Sequence, residues 1–190
     1  MDVIVEGIKD LTGGDVSGFS GIGVSAAGCI DSNEGRVAVN GGNIPGWSGT
    51  DIAGRLREEF GLGVTAANDG NCAVLGEAWK GAAQDYRDVI GVILGTGVGG
   101  GVITASRLLE GARGFAGEIG HFPTHVGGDL CKCGNKGCYE RYASTSALVR
   151  ASSSLRPEWD NGRRLFTDAA AGDEQALGGD AQLLELVHQR

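Results

Sequence analysis

Three cysteines fall within the eight residues Cys131-Lys132-Cys133-Gly134-Asn135-Lys136-Gly137-Cys138, and this crowding constrains the chain more than any other feature. Cys131 and Cys133 are adjacent-but-one, a spacing from which two thiols do not easily reach disulfide geometry. A shared cation reconciles them better, and zinc takes four soft or borderline donors in a tetrahedron. Three cysteines then need one more ligand. His121 and His125 both lie upstream, and spacing alone does not choose between them. Free surface thiols are the bland alternative. Cys29 and Cys72 stand apart in apolar surroundings and read as small core residues. An odd count of five cysteines, behind the opening Met1-Asp2-Val3-Ile4-Val5-Glu6, does not make a secreted disulfide framework. The expected compartment is the cytoplasm.

Glycine supplies 36 of the 190 residues, far above its usual share of roughly 7 %. The excess has no Gly-X-Y period, and 41 % of the chain is hydrophobic, so collagen-like and disordered readings both fail. No run of 18 apolar residues exists to cross a membrane. Lys+Arg 16 against Asp+Glu 24 gives a net charge of -8. An acidic chain without a basic run is not expected to bind nucleic acid.

Hydrophobic spacing predicts a helix up to Gly13-Gly14, a strand over 21–26 and a return strand over 36–39. A helix capped by Thr50 or Asp51 follows, ended by Gly61. Next come a strand over 64–67, a helix over about 72–83, and apolar strands over 89–94 and 98–104. Helices return beyond Ser144 and over 164–177. The class is α/β, with a domain boundary expected near residues 82–88, giving domains 1–82 and 83–190.

Two further segments can carry chemistry. Gly95-Thr96-Gly97-Val98-Gly99 follows an apolar strand, and a turn this rich in glycine lets backbone N–H groups approach an anion. A plain hairpin turn explains it equally well. Asn68-Asp69 sits where a strand meets a helix: a simple N-cap, or a carboxylate at the sheet edge able to accept a substrate proton. Glu118, His121 and Glu140 flank the cysteine knuckle. Taken singly, the two glutamates read as solvated charges.

Together, Asn68-Asp69-Gly70-Asn71, Leu94 to Gly101, Gly117-Glu118-Ile119-Gly120-His121 and Cys131 to Glu140 resemble the ROK family of bacterial sugar kinases and sugar-responsive repressors. The resemblance covers roughly residues 20 to 150. It implies an actin-like, ribonuclease-H-like ATPase fold of two lobes, with the knuckle 121–138 in the second. It further implies Asp69 as catalytic base, and Asn43, Asn68, Glu118, His121 and Glu140 as sugar ligands. Gly95, Thr96, Gly97 and Gly99 match a phosphate loop. His121, rather than His125, joins Cys131, Cys133 and Cys138 around structural zinc, and Mg2+ accompanies ATP. The implied partners are ATP and a hexose or N-acetylhexosamine, in a protein whose complete form is a homodimer. A sugar-sensing repressor without its DNA-binding domain, or an inactive zinc-stabilised fragment, are the alternatives. The family's Asp-x-Gly-Gly-Thr phosphate loop and its carboxyl-terminal part find no counterpart here. The expectation is therefore a central piece, incomplete at both ends, slow in phosphoryl transfer, with Ile22, Val24, Val37 and Val39 poorly covered.

Overall fold

The structure is a computed structural model and describes residues 1–41 and 44–176. Asn43 and the segment 177–190 lie outside the described residues. The chain forms two compact units, the first comprising Met1–Val89 and Val102–Gly117, the second Ile90–Gly101 and the residues from Glu118 onward.

In the first unit, helix α1 (Asp2–Thr12) stops where Gly13 turns left-handed at φ 62°. Strand β1 (Gly21–Ala26) pairs in parallel with β4 (Gly63–Asn68), Gly21 opposite Gly63 and Ala26 opposite Asn68. Strands β2 (Cys29–Asp31) and β3 (Arg36–Val39) form an antiparallel pair. Helix α2 (Ile52–Phe60) is capped by the Asp51 carboxylate, which accepts from Gly54 N–H at 2.8 Å. Its C-cap Gly61 is again left-handed. Ile52, Ala53 and Leu56 of α2 meet Val5, Ala26, Ile30, Val37, Val64 and Ala66 in one core. That packing changes the expectation for the early strands. Val37 is fully buried, Ile22 and Val24 are half-buried against the core, and only Val39 is substantially exposed at 48 %. The cover comes from α1 and α2, and α2 comes close because Gly35 has no side chain: a Cβ there would stand 2.2 Å from Ala53 Cβ.

Helix α3 (Asp69–Lys80) begins directly at the end of β4, three residues before the expected start, because Asn68 caps it. Strands β5 (Val89–Leu94), β6 (Val98–Thr104) and β7 (Arg107–Leu108) are hydrogen-bonded in that order. The chain passes from the first unit to the second within β5 and back within β6.

The second unit holds the turn between β5 and β6, a single 3-10 turn at Ile119–His121, and the cysteine knuckle. Helices α4 (Glu140–Ala143), α5 (Thr145–Leu155) and α6 (Gly162–Ala170) follow. Ser144 caps α5 and Asn161 caps α6, each through a side-chain oxygen. Trp159, fully buried, donates from Nε1 to Asp168 at 2.7 Å and lies under the Arg156 guanidinium. Among the described residues, no helix is long and apolar enough to cross a membrane.

Candidate functional site

The knuckle is built by glycines at two tight places. Gly134 and Gly137 both have positive φ, at 93° and 75°. A Cβ on Gly137 would stand 1.7 Å from the His125 carbonyl oxygen, so no other residue fits that close approach. Isolated bridges Pro123–Cys138 and Leu130–Lys136 close the loop, and Cys131 N–H donates to the Asn135 carbonyl at 2.8 Å.

This folding gathers His121, Cys131, Cys133 and Cys138 so that their ligand atoms all lie within 4.8 Å of one another. His121 Nδ1 stands 3.6 Å from Cys131 Sγ, and Cys133 Sγ is 3.6 Å from Cys138 Sγ. A tetrahedron with metal–sulfur bonds of about 2.3 Å has edges of about 3.8 Å. The donor set and its spacing therefore fit zinc. Burial, and then hydrogen bonding with Cys133 and Cys131, pushes the Cys138 thiol up to about 12. Left alone, Cys138 keeps its proton, whereas a coordinated cation deprotonates its thiols outright. His125 is used otherwise. Its ring stacks on Tyr142 with centroids 3.9 Å apart, and Nδ1 pairs with the Thr124 hydroxyl at 2.9 Å. Tyr142 in turn accepts from Asp129 N–H through its hydroxyl at 2.8 Å.

Three segments meet at one backbone unit, Val98. Its N–H donates to Glu140 Oε2 at 3.0 Å. Its carbonyl oxygen is approached by Gly120, where a Cβ would stand 2.1 Å away. Val98 itself ends the glycine turn 95–97. Glu118, at the head of the same 3-10 turn, places Oε2 4.0 Å from His121 Nε2. The second unit thus brings together the glycine turn, Glu118, His121, Glu140 and the cysteines.

Asn68 and Asp69 belong to the first unit. Asn68 Oδ1 accepts from Asn71 N–H at 3.1 Å, and its Nδ2 donates to the Gly28 carbonyl at 3.0 Å. Asp69 occupies the first turn of α3, exposed, with Oδ1 accepting from Gly70 N–H at 2.9 Å. The cap and the carboxylate are therefore two different residues. The residues that fix the glycine turn from α5, Thr145 and Ser146, carried no recognisable signal in the sequence.

The model of the ROK family matches residues 1–186. The chain belongs to the ROK family. It is 36 % identical over 188 residues to a glucokinase of Thermotoga maritima, covering 92 % of this chain and 58 % of that protein. It is also 36 % identical over 138 residues to a xylose repressor of Caldicellulosiruptor bescii, covering 73 % of this chain and 34 % of the repressor. The crystal structure of a ROK family glucokinase from Streptomyces griseus, in complex with glucose and AMPPNP, matches with a TM-score of 0.80 at 33 % identity. That match covers 97 % of this chain and 65 % of the crystallised one. The fold is accordingly the mixed α/β fold of ROK proteins, that of actin-like ATPases. The chain spans little more than half the length of the ROK glucokinase it matches.

Proposed function

We propose that this ROK chain carries the sugar-binding and phosphate-binding residues of a sugar kinase that transfers the γ-phosphoryl group of ATP to a hexose or N-acetylhexosamine. The observation that carries this reading is the convergence on Val98, which ties the glycine turn, the Gly120 turn and Glu140 into one body. In such a transfer there is little covalent chemistry for the protein to do, and positioning dominates.

Asp69 takes the proton of the attacking sugar hydroxyl. The hydroxyl oxygen bonds to the γ-phosphorus, the bond from phosphorus to the bridging oxygen breaks, and ADP leaves with the electron pair. Glu118, His121 and Glu140 hold sugar hydroxyls, with Asn68 and Asn43 as further contacts. The N–H groups and hydroxyl of Gly95, Thr96, Gly97 and Gly99 receive the phosphates. Mg2+ bound with ATP supplies neutralisation of the phosphate charge.

His121, Cys131, Cys133 and Cys138 would hold zinc as a structural metal; with Nδ1 on the side of the Cys131 sulfur, His121 Nε2 would carry the proton and donate to a sugar oxygen. The lobes are taken as residues 1–82 and 83–190, apart from 83–89 and 102–117, which pack with the first unit; the complete protein acts as a homodimer, and the site of action is the cytoplasm.

The second reading is a sugar-sensing regulator, and the xylose repressor match favours it. A regulator needs the sugar ligands but no base. The test is a coupled assay of sugar-dependent ADP release, with Asp69→Asn as the control. Sugar binding without ATP consumption points to the regulator.

A further inference from the structure

The glycine turn is gripped from one side by residues 140–146. Thr145 N–H donates to the Gly95 carbonyl at 2.8 Å, and the Ser146 hydroxyl donates to the Thr96 carbonyl at 2.7 Å. Glu140 accepts from Val98 N–H at the other end of the turn. Gly97 sits so close to this carboxylate that a Cβ would stand 2.3 Å from Oε2. No cis peptide bond occurs among the described residues. A trans peptide points its carbonyl and its N–H to opposite sides. Fixing the carbonyls of Gly95 and Thr96 onto the start of α5 therefore turns the N–H groups of Thr96 and Gly97 away from it. Two neighbouring donors end up aimed the same way, the arrangement that receives an anion.

We infer that Ser146 is a positioning residue of the glycine turn, setting through the Thr96 carbonyl the direction in which Gly97 N–H is offered to a nucleotide phosphate. Ser146 touches no phosphate itself. The inference rests on the reading of this turn as the phosphate site, and it adds a residue outside every motif that carried that reading. Glu140 has a second duty in the same grip, since the carboxylate proposed for the sugar also anchors the turn.

Calorimetric titration of the chain with Mg-AMPPNP, and separately with glucose, tests this on wild type, Ser146→Ala and Ser146→Thr. Amide hydrogen exchange is followed at Thr145 and Val98. Losing one such hydrogen bond is expected to weaken Mg-AMPPNP binding roughly fivefold. Glucose affinity stays unchanged, Ser146→Thr restores nucleotide binding, and both amides exchange faster in Ser146→Ala. Unchanged nucleotide affinity, or an equal loss for glucose and nucleotide, overturns the inference. If wild type binds no Mg-AMPPNP, the phosphate reading of the turn fails on its own. The exchange data then decide the grip: faster exchange in Ser146→Ala supports it, and unchanged exchange overturns it.

Discussion

His121 Nδ1 stands 3.6 Å from the sulfur of Cys131, which leaves the opposite ring nitrogen, Nε2, 4.0 Å from the Glu118 carboxylate. A ring ligating metal through one nitrogen donates from the other, and the tautomer follows from that ligation. The His/Cys cluster and the proposed sugar ligands thereby share a single imidazole, with Glu118 only three residues earlier on the same turn.

One zinc per chain is expected, measured by elemental analysis of protein purified without chelator. His121→Ala, or any one of Cys131→Ser, Cys133→Ser and Cys138→Ser, should bring the content well below one equivalent. His125→Ala should leave it at one, because that ring stacks on Tyr142 instead. Structural zinc contributes on the order of 10 kcal/mol in small metal-dependent modules. Chelation should therefore lower the unfolding temperature of the wild type far more than that of the His121→Ala chain.

The first unit has its own pH dependence. Glu59 accepts from Lys9 Nζ at 2.6 Å and from Arg55 at 2.7 Å, and these hydrogen bonds hold its carboxyl below the ordinary glutamate value. A depressed carboxyl contributes stability that is complete above the unfolded value of about 4.3 and disappears as pH falls through the native one. Glu59→Gln should melt earlier than wild type at pH 7. The difference should shrink steadily as the pH is taken below about 4. A constant difference across that range would mean that packing, not charge, carries the effect.

Two glycine substitutions should act with opposite signs. Gly120→Ala drives a Cβ to 2.1 Å from the Val98 carbonyl oxygen, a backbone atom that cannot swing aside. A loss of roughly 1–3 kcal/mol is expected, read by denaturant unfolding. Gly76→Ala lies within α3 with nothing within 4 Å of the added methyl. It should stabilise by about 0.5–1 kcal/mol through helix propensity.

Much of this was legible because local chemistry dominates. Gly13 and Gly61 mark helix ends by their left-handed φ, and Asp51 caps α2 as its position before an apolar-periodic run suggests. The cysteine spacing already points to a shared site, and the fold brings Cys131, Cys133 and Cys138 together with His121. Sequence spacing puts the start of α3 three residues late, since Asn68-Asp69-Gly70 has the composition of a turn and the cap from Asn68 to Asn71 N–H shows only in the fold. The burial of Val37 was not legible either, because it depends on α2 packing against β3 through the missing side chain of Gly35. The short helix α4 leaves no trace in the sequence pattern. It is four residues long, too short for any periodicity, and follows directly from the knuckle. Ser146 gave no signal, since a hydroxyl bonded to a carbonyl fifty positions away has no local pattern.

The most direct measurement is a single-turnover assay of this chain with γ-labelled ATP, Mg2+ and either glucose or N-acetylmannosamine, followed by the appearance of labelled sugar phosphate. It registers transfer even when turnover is slow. The wild-type chain should form sugar phosphate, and Asp69→Asn should form it roughly 10²-fold more slowly or worse, because the amide cannot take the hydroxyl proton. Calorimetric sugar affinity should be nearly the same in both proteins. Equal rates in the two, or sugar bound tightly with no phosphate transferred by the wild type, would contradict the assignment of Asp69 as base and of the chain as a kinase.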